Sequence, residues 1–172
     1  MEYITAQLID HIAVNVPWLG TVDEDCGQLE ALANESEDRY PLTFPAVLIN
    51  IDSVDWSNIA GGGQTGQANI RVRLLIDCYD DMHAGSMGKE KAAERQALCR
   101  RVNSTVSGFR PTGEGGLLRN RSAYFVGFHG IKVYDQFYTL TVSEATHRRT
   151  TTAAPTKLKL SVSAVSAASE TP

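Results

Sequence analysis

From Ala68 to Tyr79 the chain alternates with a period of two, interrupted at Leu75. Ile70, Val72, Leu74, Ile76 and Cys78 fall on one side, and Arg71, Arg73, Asp77 and Tyr79 on the other. Successive side chains of a strand point to opposite faces, so this period of two marks an antiparallel strand with one buried face. Such a strand needs sheet neighbours, and its apolar face needs a covering layer.

The flanking segments supply both. Ile4, Leu8, Ile9, Ile12 and Val16 recur at three- and four-residue steps, one apolar stripe of a helix that Pro17 and Gly20 end. Residues 20–43 read as a loop with an acidic cluster at Asp23, Glu24 and Asp25, and a short helical turn fits around Cys26 to Asn34. Pro45 opens a strand in which Val47, Ile49 and Ile51 alternate with Ala46, Leu48 and Asn50, so both faces are at least partly apolar. Asn58 to Gly66 reads as a Gly-rich connection, making these two strands a hairpin with a flexible tip. A second helix is expected from Ser86 or Lys89 to Ser107, with Leu98, Val102 and Val106 four apart and Gly108 as its stop. Two more strands follow, about Arg119 to Phe128 and Ile131 to Ala145. Gly127 and Gly130 offer the turn between them, with Tyr134 to Gln136 as a rival position.

The order is therefore α-β-β-α-β-β. It implies an α+β fold, a mainly antiparallel four-stranded sheet with two helices on one face. Residues 1–146 form one domain. Residues 147–172, rich in Ser, Thr and Ala, form a tail that is either disordered or bound to a partner. Within the tail Leu158, Leu160 and Val162 alternate, a pattern that can add a strand to a neighbour's sheet edge.

Composition narrows the function. Sixteen basic residues against 20 acidic ones give a net charge of −4, which argues against a broad phosphate-binding surface. The three cysteines, Cys26, Cys78 and Cys99, form no Cys-x-x-Cys unit and fit a reducing cytosol, with Cys78 and Cys99 read as small buried residues. The first residues lack the pattern of a secretory signal, and no apolar run reaches the ~20 residues a membrane span needs.

No chemistry stands out. Asp77, Cys78, Asp80, Asp81 and His83 are the densest set of possible metal ligands, yet Asp77 and Cys78 point to opposite faces of a strand and no second His or Cys cluster completes a tetrahedral site. Gly61-Gly62-Gly63 is followed by neither Gly-Lys-Ser/Thr nor a helix, so it lacks both parts of a phosphate loop. His11 and His129 read as structural, and no Gly-x-Ser-x-Gly elbow is present. Aromatic residues are more suggestive. Trp56, beside Ile59, sits at a strand exit, and Tyr124, Phe125, Phe128, Tyr134, Phe137 and Tyr138 crowd the second hairpin. Those not needed in the core suit a subunit interface. A nucleic-acid stacking platform is the rival reading, with Arg71, Arg73, Arg119 and Arg121 as its thin basic complement.

The amino-terminal helix, the strand Phe44-Pro45-Ala46-Val47-Leu48-Ile49, the arginine-bearing strand Ile70-Arg71-Val72-Arg73-Leu74, the helix with Leu98 and Val102, and the aromatic hairpin together resemble the tail terminator proteins of long-tailed bacteriophages. The resemblance covers residues 2–146. It implies a non-enzymatic virion subunit without cofactor or metal, made in the host cytoplasm and placed at the head–tail junction. It further implies a homo-oligomeric ring, a hexamer, that caps the tail tube protein and meets the head–tail connector protein. DNA would pass its lumen without specific binding. The residues expected at such an interface are Trp56, Ile59, Gly62, Arg71, Arg73 and Tyr134, with Arg71 and Arg73 pairing across subunits to the acidic loop. The acidic segment at 20–43 and the polar tail depart from the family pattern. The alternatives are another neck or head-completion ring, a small metal-dependent enzyme built on Asp77 to His83, and an adaptor that lends its tail as a strand.

Overall fold

The computed structural model describes residues 1–32, 42–59, 62–78, 83, 86, 88–127 and 130–145. The elements are α1 (Glu2–Asn15), β1 (Thr21–Glu24), α2 (Gln28–Ala31), β2 (Ala46–Ile59), β3 (Gly63–Ile76), α3 (Gly88–Val106), β4 (Leu118–Val126) and β5 (Lys132–Ala145). The sheet order is β1-β2-β3-β5-β4. The α+β class holds, but among the described residues the sheet has five strands rather than four. The extra one, β1, runs parallel to β2 at the edge, while every other pairing is antiparallel. At four residues, two of them acidic, β1 is too short for its periodicity to show. It needs only a ladder to Ala46–Ile49 and one inward side chain, Val22, packed on the core.

One face of the sheet carries α1 and α3. Ile4, Leu8, Ile12 and Val16 pack with Cys99, Val102 and Val106 against Val47, Ile49, Ala68, Ile70, Val72, Leu74, Tyr138, Leu140 and Val142. These residues are the expected stripes of both helices and the expected buried face of the long strand. Each large side chain among them stabilises the fold by roughly 1.5–3 kcal/mol through burial. His11 ties the helices together. Its ring stacks on Phe109 at 3.9 Å, and Nε2 donates to the Thr105 carbonyl at 3.0 Å.

The opposite face is not bare. Ala46, Leu48, Leu75, Ile131 and Val133 form a second cluster under Leu29 of α2, with Leu32, Leu42 and Phe44 around it. This explains why four successive residues of β2, Ala46 to Ile49, are fully buried. The two expected turns resolve differently. Gly127 donates to the Ile131 carbonyl at 2.7 Å and Gly130 has φ +79°, so the glycines make the β4–β5 turn, and Tyr134 to Gln136 lie inside β5. Most of the supposed Asn58–Gly66 connection is sheet, with Ile59 pairing Gly63 and Trp56 pairing Gly66. Glycine content hid a strand that is fixed on both sides, because Gly63 to Gly66 also pair with Ala145 to Val142 of β5. The tail, His129, Phe128, Asp80 and Asp81 lie outside the described residues.

Candidate assembly interface and the arginine cluster

β3 brings Arg71 and Arg73 onto the face carrying α2, where the chain after β1 crosses over them. Arg73 Nε donates to Asp135 Oδ1 at 3.0 Å, and its Nη1 lies 3.1 Å from Glu30 Oε1 and 3.3 Å from Asp25 Oδ2. Arg71 Nη2 lies 3.6 Å from the same Asp25 oxygen and 3.5 Å from Asp52 Oδ1. Asp25 Oδ1 accepts from the Gly27 amide at 3.2 Å. The side chains of Arg73, Asp25 and Asp135 are only 7%, 5% and 8% exposed, whereas Glu30 is 61% exposed. Burial opposes the Arg73 charge, but Asp135, Asp25 and Glu30 outweigh it and hold its pKa above the ordinary arginine value.

The acidic segment is therefore the partner of both arginines, as expected, but the pairing is made within one chain. With α2 packed over that face of the sheet, Asp25 reaches the arginines in cis. The cluster pins the segment from Asp25 to Glu30 across β3 and β5, and it commits Arg71 and Arg73 to carboxylates rather than to a nucleic-acid backbone.

The other expected site residues lie apart from this cluster. Trp56 and Ile59, at the far end of β2, are 37% and 49% exposed. Trp56 lies across Gly66, where an added Cβ would come 2.7 Å from its Cε3. Gly62 has φ +87° in the turn before Gly63, a conformation glycine adopts without strain. Tyr134 is half-buried in an interior strand, edge-on to Tyr124 at 5.4 Å, and burial pushes its hydroxyl pKa up.

Sequence reasoning caught the aromatic members of a further surface and missed its extent. β4 is an edge strand, and Leu118, Tyr124 and Val126 are 68%, 63% and 67% exposed, with Phe125 also open to solvent. Periodicity gave no sign of this, because the apolar residues at Tyr124, Phe125 and Val126 are consecutive and lie on both faces of the sheet.

Among the described residues, no group of three or more His, Cys, Asp or Glu could hold a metal ion. Cys78 and Cys99 are buried and neither is in a disulfide. Burial pushes Cys99 up to about 11, so it stays protonated and unreactive at neutral pH.

No family model and no curated protein matches the chain. Among solved structures, a chain of the "Virion of native gene transfer agent (GTA) particle" is similar at 14% sequence identity, with 81% of this chain and 92% of that chain covered and a TM-score of 0.47.

Proposed function

We propose that this chain is a non-enzymatic virion subunit that assembles into a homo-oligomeric ring, a hexamer, at the head–tail junction. The ring caps the tail tube protein, meets the head–tail connector protein and lets DNA pass without binding it specifically. The observation that carries this reading is the set of exposed apolar side chains Leu118, Tyr124, Phe125 and Val126 on β4, whose outer side no strand pairs among the described residues. An open apolar edge is a liability in a monomer and an asset in an assembly subunit. A contact between two different surfaces of one chain repeats head to tail, and it closes into a ring when the rotation allows. The texture shared with tail terminators supports the choice of ring. The tip at Trp56, Ile59 and Gly62 adds a second apolar surface suited to subunit or tube contact.

The test is end-labelling of assembled tail tubes with tagged protein, viewed by negative-stain microscopy. Label confined to tube ends, together with arrest of tube growth, supports the terminator role. Label on isolated connectors but never on tubes would favour another neck ring, and no label on either would remove the virion reading.

A further inference from the structure

β2 offers a second open edge, on the side of the sheet opposite β4. β1 covers only Ala46 to Ile49. From Asn50 to Ile59, β2 pairs with β3 on one side and has no strand on its outer side among the described residues. The free stretch is ten residues long, β4 is nine, and their charges are opposite. Asn50–Ile59 carries Asp52 and Asp55 and no basic residue, whereas Leu118–Val126 carries Arg119 and Arg121 and no acidic one. Asp52 already pairs with Arg71, leaving Asp55 as the more outlying charge.

We propose that β4 of one copy pairs with Asn50–Ile59 of the next, so that the sheet continues from subunit to subunit. This inference rests on the ring reading and names its interface. Strand direction agrees with it. β2, β3, β5 and β4 alternate in direction, so a neighbouring β2 placed beside β4 in the same orientation is antiparallel to it and both helix layers stay on one side. The β-bulges between Ile51 and Ser53 and between Arg119 and Arg121 bound the regular ladder to Ser53–Ile59 and Arg121–Val126. Trp56 and Tyr124 both project on the helix-bearing side, because Trp56 shares a face with Val54, which is packed on that core, and Tyr124 pairs with Tyr134, which is packed on it too. The pairing thus buries exposed aromatic surface from both edges.

Charge reversal tests the pairing. Asp55→Lys and Arg121→Glu each place like charges at the contact, and both side chains are exposed in the single chain. Each variant alone should lose at least tenfold in ring yield by light scattering, with an unchanged thermal melt by circular dichroism. An equimolar mixture should assemble again, because each edge of one variant then faces an opposite charge on the other. If the wild type assembles and the variants do too, or if the mixture stays dissociated, the edge pairing is overturned and the ring reading survives. If the wild type itself stays monomeric with and without tail tubes, both are overturned.

Discussion

Replacing Arg73 with methionine should be among the most damaging single changes in this chain. The substitution keeps an apolar stem of similar length on β3 and removes the cation. Asp135, 8% exposed, then loses a 3.0 Å charge-assisted hydrogen bond, and Asp25, 5% exposed, keeps the Gly27 amide and, of its two guanidinium partners, only the longer 3.6 Å approach of Arg71. Removing one partner of a buried ion pair costs about 3–5 kcal/mol, because the remaining charge cannot be rehydrated in place. Against a typical stability of about 5–15 kcal/mol, that is a large fraction of the whole. At roughly 2–4 °C per kcal/mol for a domain of this size, the melting temperature should drop by about 6–20 °C. Urea unfolding followed by far-UV circular dichroism gives the free-energy difference directly. The double variant Arg73→Met with Asp135→Leu should regain at least half the loss, since it no longer buries an unpaired carboxylate. Glu30→Ala should cost no more than about 1 kcal/mol, because its carboxylate is largely in water. A loss below about 1 kcal/mol for Arg73→Met, the range of an exposed pair, would refute the claim that this cluster is dry and locks α2 onto the sheet.

Three further outcomes are expected. Gly66→Ala should displace the Trp56 ring, which an added Cβ would approach at 2.7 Å, and should red-shift the tryptophan emission; an unchanged spectrum and an unchanged melt would mean the ring does not rest there. Stability should fall between pH 9 and pH 11. The unfolded chain releases the Cys99 proton near 9.0, whereas the native thiol holds it to about 11, so the native state binds more protons in that window and the free energy of unfolding declines as pH rises. Tyr138, also pushed up by burial, acts in the same direction, and Cys99→Ala should make the alkaline slope of the melting temperature shallower. Finally, Tyr124→Lys together with Val126→Lys should leave the melt within about 1 kcal/mol of the parent while abolishing assembly, since both side chains are exposed in the single chain.

Much of the fold was legible. α1 and α3 announce themselves by apolar residues three and four apart, and β3 by its alternation, because those periodicities are what a single covered face demands. β1 was hidden by its length, and the outer half of the β2–β3 hairpin by its glycines. There the glycine composition reflects room for Trp56 over Gly66 rather than a flexible loop. The candidate site was half legible. Arg71 and Arg73 were singled out, and the acidic segment at Asp25 was named as their partner. Asp135 was not, because it lies 62 residues away from Arg73 in the chain and only the β3–β5 register brings the two opposite one another. The cis pairing followed from a second apolar cluster under Leu29, which no single segment of sequence displays. The exposed strip on β4 was visible only as aromatic crowding, since exposure of an edge depends on which strand ends the sheet.

The most direct test of the central claim is the mass of the purified protein by multi-angle light scattering, at low and high concentration, with and without assembled tail tubes. The ring account predicts a species several times 18.7 kDa, six times for a hexamer, or binding confined to tube ends. A particle that stays at 18.7 kDa throughout and ignores the tubes would contradict it.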